Sequence, residues 1–596
     1  MEVDIYQSPG ADLSNAEDPA LMQAAVSSIA QESLPDFNDA REQLRALAGG
    51  ISIGRSAFLD KFEVASELEY KQQCMRAGHV MYHAHIGMND IGSTAKALGE
   101  IHAELDARGF RLDRAGFALD RRMGLPDELR AQAAAETGPM LNLAEDWSAL
   151  AQSAPIQPHL GDFMIGQPAS LANTLQALRI GCTTVGNLSQ FFTFEAPGWS
   201  DSKTTSLQTC QAIVLLGEFR EQGCMLHSYL EDGFGALFRH CASVAAWAML
   251  EYYLVEELIG ARLSHCIGGL TSDPIKRVGW VLALQRIHRG EHVGSMIYGD
   301  TISFGREFEK NRALTAEYLQ WDIIAQLYAP SGHAVLPLPV TEAVRIPSGE
   351  EIIEAQLFGR RVEASARRLF PHVDFTAAEA FADSVCIQGQ QIFENALQGM
   401  RSLGVDTRDP LRMLYTLKKM GPQMFESLFY QAAGDGQEIL TDMYSMSQSV
   451  VEEYRPMFAN SELRSKLASR TLIVASTDVH QQASGALSQL LSEAGARVIY
   501  LGAEQNPSDL VAAIREHAPD ALMLSTHNGM ALEYSKQLRQ QLDGASLSLP
   551  IIIGGVLNQK IDGEALPVPV LDELLALGMR PAIALPNLVR LLEFDS

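Results

Sequence analysis

The sequence predicts an α/β protein: a (β/α)8 TIM barrel, a helical segment, and a C-terminal flavodoxin-like (Rossmann-like) domain. Three observations predict it. From about residue 66 to 345, short apolar runs alternate with helical patterns, the rhythm of βα units. From about 346 to 465 the pattern is mostly helical. From about 466 to 596 strands and helices alternate again on a smaller scale. A chain of 596 residues has room for several such domains.

Residues 1–65 are polar and helix-prone, with Asp and Ser turns, and read as an N-terminal extension. In the 66–345 stretch, strands are expected over 81–85, 156–159, 180–184, 225–227, 263–266, 293–298 and 334–337, with helices such as 169–177 and 203–222 between them. Seven strands over this length favour a closed barrel over an open sheet. Helices at 349–370 and 376–403 fill the next segment, which leads into the last domain through Arg455-Pro456-Met457-Phe458. That domain, 466–596, is expected to hold strands at 471–477, 497–501, 521–525 and 550–554. Helices at 481–494, 507–517 and 530–542 separate them, which makes a small doubly wound sheet.

Composition bounds the function classes. With 46 Lys+Arg against 73 Asp+Glu the net charge is -27, which argues against non-specific binding to nucleic acid or to an anionic membrane. Seven cysteines, odd in number and without CxxC pairing, suit a reducing cytosol better than a disulfide framework. The start Met1-Glu2-Val3-Asp4 lacks the basic and apolar regions of a signal peptide, and no apolar stretch is long enough to span a bilayer. A cytoplasmic protein is expected.

The chemistry-bearing pattern lies near the C-terminus. Asp478-Val479-His480 follows the apolar run Leu472-Ile473-Val474-Ala475, Ser525 closes the next strand, and Gly554-Gly555 closes the one after. A strand ending on Asp-x-His presents an imidazole and a carboxylate at the carboxyl edge of a sheet, where open α/β sheets bind ligands. Imidazole is a good ligand for a transition metal, and a carboxylate on its other nitrogen fixes the tautomer. The set resembles the vitamin B12-binding motif of base-off/His-on cobalamin enzymes: Asp-x-His-x-x-Gly, then Ser-x-Leu, then Gly-Gly, at the family's spacing. Ala483 stands where that family has Gly, and His527 where it has Leu. The resemblance implies His480 as the lower axial ligand of cobalt, Asp478 as its orienting carboxylate, and Ser525, His527, Gly554 and Gly555 around the displaced nucleotide tail.

The barrel resembles, distantly, the catalytic subunit of glutamate mutase. The motifs are Ser189-Gln190-Phe191-Phe192, Pro197-Gly198-Trp199, Glu231-Asp232-Gly233-Phe234-Gly235 and Pro339-Val340-Thr341-Glu342-Ala343-Val344-Arg345-Ile346-Pro347. Fusion of both parts in one chain is the arrangement of methyleneglutarate mutase. The resemblance implies adenosylcobalamin as cofactor, Glu342 on the adenosyl ribose, Glu231 or Asp232 near the reacting substrate, and Phe234 as an aromatic wall. A helix N-terminal carboxylate is the ordinary alternative for Glu342, and a solvated loop for Glu231-Asp232. The family's lysine four residues before that glutamate is Leu338 here. Its substrate-gripping arginines also differ: His85 and His159 stand near two of them, and Arg121 or Arg122 near the third. His83, His85, His159, His227 and His265 all fall at expected strand ends, the active-site face of a barrel.

The expected function is therefore an adenosylcobalamin-dependent radical isomerase acting on a small polar, carboxylate-bearing molecule other than glutamate. A homodimer is expected, with a cobalamin-loading or reactivating chaperone as a further partner. One alternative is a corrinoid methyltransferase, with zinc on His265 and Cys266. A non-enzymatic cobalamin carrier or sensor is another. An aminomutase that also uses pyridoxal phosphate would need a positioned lysine; Lys560 is the one candidate, and a solvated loop is the preferred reading for it.

Overall fold

A computed structural model of the chain describes residues 18–133, 138–431, 438–477, 482–502, 505–527, 529–559 and 566–592. The chain divides into two compact units, one of 23–342 and 346–442, the other of 1–22, 343–345 and 443–596.

In the larger unit the described residues hold eight short strands: β1 His83–Ile86, β2 Arg114–Phe117, β3 Gln157–His159, β4 Thr184–Gly186, β5 Met225–Tyr229, β6 Leu263–Cys266, β7 Met296–Ile297 and β8 Ala334–Val335. They pair in parallel as β1-β2-β3, β4-β5-β6 and β7-β8. Isolated parallel bridges, Leu160–Val185, Ile267–Ile297 and Val335–Tyr82, join each edge to the next and the last to the first. Each strand is followed by a helix, from Ile91–Ala107 after β1 to Gly349–Leu369 after β8. The helix starts follow local chemistry. Asp90 Oδ1 accepts the Ser93 N–H at 2.8 Å, Asp273 caps a helix that begins on Pro274, and Ser348 and Glu351 form a capping box.

Side chains alternate across the strands, so two apolar clusters form. Ala84, Ala115, Leu160 and Val185 join the large cluster beneath the helices. Met81, Tyr229, Cys266, Met296 and Ala334 point the other way and pack with Phe58, Leu59, Val64 and Tyr70. The 1–65 extension thus contributes packed structure: helices Phe37–Ala48 and Ala57–Lys61, with Phe58 and Leu59 fully buried. Two further expectations meet a different outcome. The strand Arg114–Phe117 was not foreseen, because Arg114 and Gly116 interrupt any apolar run. The helix Gly349–Leu369, expected in the helical segment, packs against helices Ile91–Ala107 and Phe308–Tyr328 as the partner of β8. Helices Thr376–Ser402 and Pro410–Phe429 follow it, the latter broken at Gly421-Pro422.

In the smaller unit β9 Thr471–Ser476, β10 Arg497–Gly502, β11 Ala521–Thr526, β12 Ile551–Gly555 and the strand Arg580–Ala582 form one parallel sheet, in the order β10-β9-β11-β12 and then Arg580–Ala582. Alternation again splits the core: Ile473 and Ala475 face one cluster, Leu472 and Val474 the other. Helices Asp442–Phe458 and Ser461–Leu467 supply Val451, Phe458, Leu463 and Leu467 to the second cluster. All seven cysteines are free thiols. No described helix is long and apolar enough to cross a membrane.

The Arg277 guanidinium, fully buried, donates two bonds to Asp322 at 2.8 and 2.7 Å. Arg277→Met would leave Asp322 buried without its cation and should cost about 3–5 kcal/mol. Arg45→Met removes the exposed Arg45–Glu218 pair and should cost less than about 1 kcal/mol. Urea unfolding followed by the fluorescence of the buried Trp247 and Trp280 measures both.

Candidate functional site

At the carboxyl edge of the smaller sheet, Ser525 and Thr526 of β11 pair with Gly554 and Gly555 of β12. The Ser525 hydroxyl is buried without a hydrogen-bond partner. Gly555 adopts φ +93°, where an added Cβ would lie 2.3 Å from the Thr526 carbonyl oxygen and 3.2 Å from His527 Cε1. Conformation and space both demand glycine there. The glycine lets β12 pack onto the Thr526 backbone, and the orphaned Ser525 hydroxyl at the same edge fits a ligand that hydrogen-bonds to it. Strand β9, flanked by β10 and β11, ends at Ser476, at the point where strand order reverses. Asp478 and His480 come after it and lie outside the described residues, as does Lys560.

In the larger unit β1, β3 and β5 turn imidazoles into the ring, and only His159 closes its strand. His83 opens β1, His85 is its third residue and His227 is the third of five in β5, against the expectation of strand ends. The ring centroids of His83 and His85 are 4.9 Å apart, those of His83 and His159 6.0 Å, and those of His159 and His227 4.6 Å. His227 Nδ1 lies 2.8 Å from Ser295 Oγ. Burial, reinforced by the Arg114 guanidinium, holds His83, His159 and His227 well below 6.5 and His85 at about 4. The group is therefore neutral at pH 7. His85, half-buried, sits 5.2 Å from Tyr298, which stacks on Tyr229 at 5.0 Å.

Not every expected residue joins this group. His265 faces outward from the strand ring: Nε2 is 3.1 Å from Glu251 Oε2 and Nδ1 is 2.8 Å from His288 Nε2. Cys266, its neighbour on β6, faces the inner cluster, so the pair cannot share a zinc ion. Arg122 is committed to Asp120 through two bonds of 2.9 and 2.8 Å, and Arg121 donates to the Glu195 carbonyl.

Glu231 and Asp232 follow β5 directly. Glu231 is buried, and its oxygens accept from the Gly268 N–H at 2.6 Å and Thr271 Oγ1 at 2.8 Å. Burial raises its pKa against those donors. It ties the end of β5 to the loop after β6. Asp232 accepts from Asn187 Nδ2 at 2.8 Å. Phe234 lies in an aromatic cluster, 5.3 Å from Phe192 and 4.8 Å from Trp247. Glu342, half-buried beyond β8, is pushed up to about 7 by burial and the nearby Glu351. Asp162 is raised to about 6 by burial, against the Gln190 amide that donates to it at 3.1 Å. Glu342, Asp232 and Asp162 all act on Tyr298, whose phenol is raised well above 10, first by burial. Sequence reading missed Arg114, Tyr229, Tyr298 and Asp162. Of these, only Arg114, a charge in a short run between helical patterns, carried a readable signal.

Comparison with known proteins bears chiefly on the smaller unit. Residues 470–566 match the B12 binding domain. Glutamate mutase sigma subunit 1 of Haloarcula marismortui is 34% identical over 92 residues, which is 15% of this chain and 61% of that protein. The chain thus spans about three fifths of the length of this curated relative. Among solved structures, a cobalamin-binding protein from Desulfitobacterium hafniense is 20% identical over 25% of this chain and 78% of its own, with a TM-score of 0.18. The methanol:cobalamin methyltransferase complex MtaBC of Methanosarcina barkeri is 12% identical over 49% of this chain and 87% of its own, with a TM-score of 0.15. Neither superposition is close enough to carry an argument about fold. The C-terminal unit contains a B12-binding domain related in sequence to a mutase subunit.

Two outcomes follow. The unfolded chain takes up protons near 6.5, while the buried imidazoles resist until a lower pH. Their contribution to stability is therefore complete above about 6.5 and is lost as pH falls towards 4. Glu342 acts in the opposite sense, since its raised pKa costs stability as pH rises from 4.5 to about 7. Among the described residues seven imidazoles are held low, these four with His288, His292 and His333. Against them stand six raised carboxyls, Glu342 with Asp162, Glu231, Asp300, Asp322 and Asp409. The urea midpoint should therefore fall between pH 7 and pH 5, less steeply in His159→Phe. Gly555→Ala should weaken cobalamin binding at least ten-fold in an absorbance titration. Gly544→Ala, where an added Cβ meets nothing within 4 Å, should leave binding unchanged.

Proposed function

We propose that the protein is an adenosylcobalamin-dependent radical isomerase, and that its ring of eight strands is a (β/α)8 barrel whose carboxyl end holds the substrate. The observation that carries this reading is the B12-binding match over 470–566, with the orphaned Ser525 hydroxyl beside Gly554 and Gly555 at the sheet edge. The parallel strands joined edge to edge and the neutral imidazoles turned into the ring support the barrel part. When bound, adenosylcobalamin supplies hydrogen-abstraction chemistry through homolysis of its cobalt–carbon bond.

The chain's own residues have separable tasks in this reading. His480 would hold the cobalt, and Asp478 would fix the imidazole's tautomer. Ser525 and the two glycines line the slot for the nucleotide tail, with His527 at its rim. Glu342, with a pKa of about 7, can either accept from or donate to the ribose hydroxyls of the adenosyl group. His85 and His159 meet the polar groups of the substrate, and Asp232 lies beside it. Glu231 acts as a positioning residue, since both its oxygens are already engaged. Phe234 and Phe192 stiffen the apolar wall behind.

The Co(II) form of the wild-type protein should show nitrogen coupling from a histidine in its paramagnetic resonance spectrum, and His480→Ala should lose it. Hydrogen exchange between substrate and the adenosyl group should require adenosylcobalamin. Turnover with methylcobalamin and an acceptor thiol, with none from the adenosyl form, would establish a methyltransferase instead.

A further inference from the structure

Six residues on adjacent strands share one unusual property. His83 Nε2, His85 Nε2, Arg114 Nη2, Gln157 Oε1, Thr184 Oγ1 and both ring nitrogens of His159 are buried without any hydrogen-bond partner. Buried polar groups are paired in the great majority of cases, so a run of orphans on β1 to β4 calls for a physical cause. They also face the same way. His83 is level with Arg114, and Arg114 with Gln157; His85 is level with Gly116, and Gly116 with His159. The Leu160–Val185 bridge sets Thr184 level with His159. The residues between them, Ala84, Ala115, Leu160 and Val185, belong to the cluster beneath the helices, so the orphans point into the ring. Across from them, β5 to β8 present Tyr229, Cys266, Met296 and Ala334. The same half also carries His227 and Ser264, whose hydroxyl is likewise buried without a partner, so the inside of the ring is polar and unsatisfied along β1 to β4 and mixed along β5 to β8.

Charge narrows what could fill it. Arg114 Nε donates to Glu67 Oε1 at 2.8 Å, and Lys71 Nζ lies 3.5 Å from the same oxygen, all three side chains being fully buried. Two cations share one carboxylate, which leaves a positive charge enclosed in a medium where an uncompensated charge is costly. The surrounding imidazoles are neutral, so room exists for one negative charge rather than two. Gln157 Nε2 already donates to the Pro158 carbonyl, and its free Oε1 can only accept. The ligand must therefore bring a donor. An ammonium would add a second positive charge beside Arg114 and Lys71, whereas a hydroxyl adds none.

We infer that the β1–β4 side of the ring interior binds a small hydroxy monocarboxylate, its carboxylate on Arg114 Nη2 and its hydroxyl among Gln157 and His159. The alkyl part lies against Cys266, Met296 and Ala334, and entry is past half-buried His85. The inference builds on the proposed isomerase reading in taking this ligand for the substrate, and sets it deeper than the carboxyl end, since His83, Arg114, Gln157 and Thr184 are the first residues of β1 to β4.

Calorimetry on the full chain, without cobalamin, tests the site directly. 3-Hydroxybutyrate or lactate should bind, while lactamide, alanine and malate should bind at least ten-fold more weakly. Arg114→Gln should abolish the preference for lactate over lactamide. His159→Phe and Gln157→Leu, which replace neutral groups and leave the charge network intact, should each weaken hydroxy-acid binding at least ten-fold. Failure of both hydroxy acids to bind, equal binding of lactamide, or wild-type affinity in His159→Phe and Gln157→Leu would overturn the assignment. Binding without hydrogen exchange in the presence of adenosylcobalamin would keep the site and remove the isomerase reading. Exchange with malate alone would do the reverse.

Discussion

A guanidinium enclosed in protein must find an acceptor for its N–H groups, and Arg277 does so by drawing three chain segments onto itself. Beyond its pair with Asp322 it donates to the Gly268 carbonyl, to the Thr271 carbonyl at 2.6 Å and to the Tyr298 carbonyl at 2.8 Å. Those carbonyls belong to the loops after β6 and β7. Glu231 completes the clamp from β5 by accepting from Gly268 and Thr271. Tyr298 is thereby held against Tyr229 and beside His85, and the position of Glu342 and Asp232 around that phenol has a fixed reference. The carboxyl end of the ring is rigid because charge-assisted bonds in a dry setting are strong and have no water to exchange with.

Inside the ring, large planar side chains are accommodated by absent ones. A Cβ on Gly116 would lie 2.9 Å from His83 Nε2, and one on Gly186 2.6 Å from the His227 ring. Imidazole on one strand and glycine on its neighbour fill the same volume in complementary fashion, as close packing requires. The resulting interior is polar but uncharged on the histidines, because burial and Arg114 together exclude the imidazolium form. Such a setting suits chemistry in which stray proton transfer and water are unwelcome. In the smaller unit the same device works at the sheet edge, where Gly555 lets β12 close onto the Thr526 backbone, which fills the space a Cβ would need.

Much of this was legible in the amino-acid order. The strand–helix alternation, the placement of β9 to β12, and the spacing of Ser525 and the paired glycines follow from local apolar patterns and turn chemistry, which act over a few residues. His159 was readable as a strand-end imidazole for the same reason, since a polar residue closing an apolar run marks where a strand meets solvent or a site, whereas His83 opens β1 and His227 sits in the middle of β5. The acidic balance, -27, likewise depends on composition alone.

Only the tertiary structure decided the rest, because it turns on which distant segments meet. The face that His265 presents, towards Glu251 and His288 and away from Cys266, depends on strand pairing and helix packing. Arg121 and Arg122 looked available until the Glu195 carbonyl and Asp120 engaged them. Arg114 looked like an interruption of a strand and became the charged centre of the ring interior once Glu67 and His83 closed around it. Local pattern determines which residues can form strands, helices and ligand-bearing edges. Long-range packing determines which of their polar groups are already paired and which remain open to a ligand.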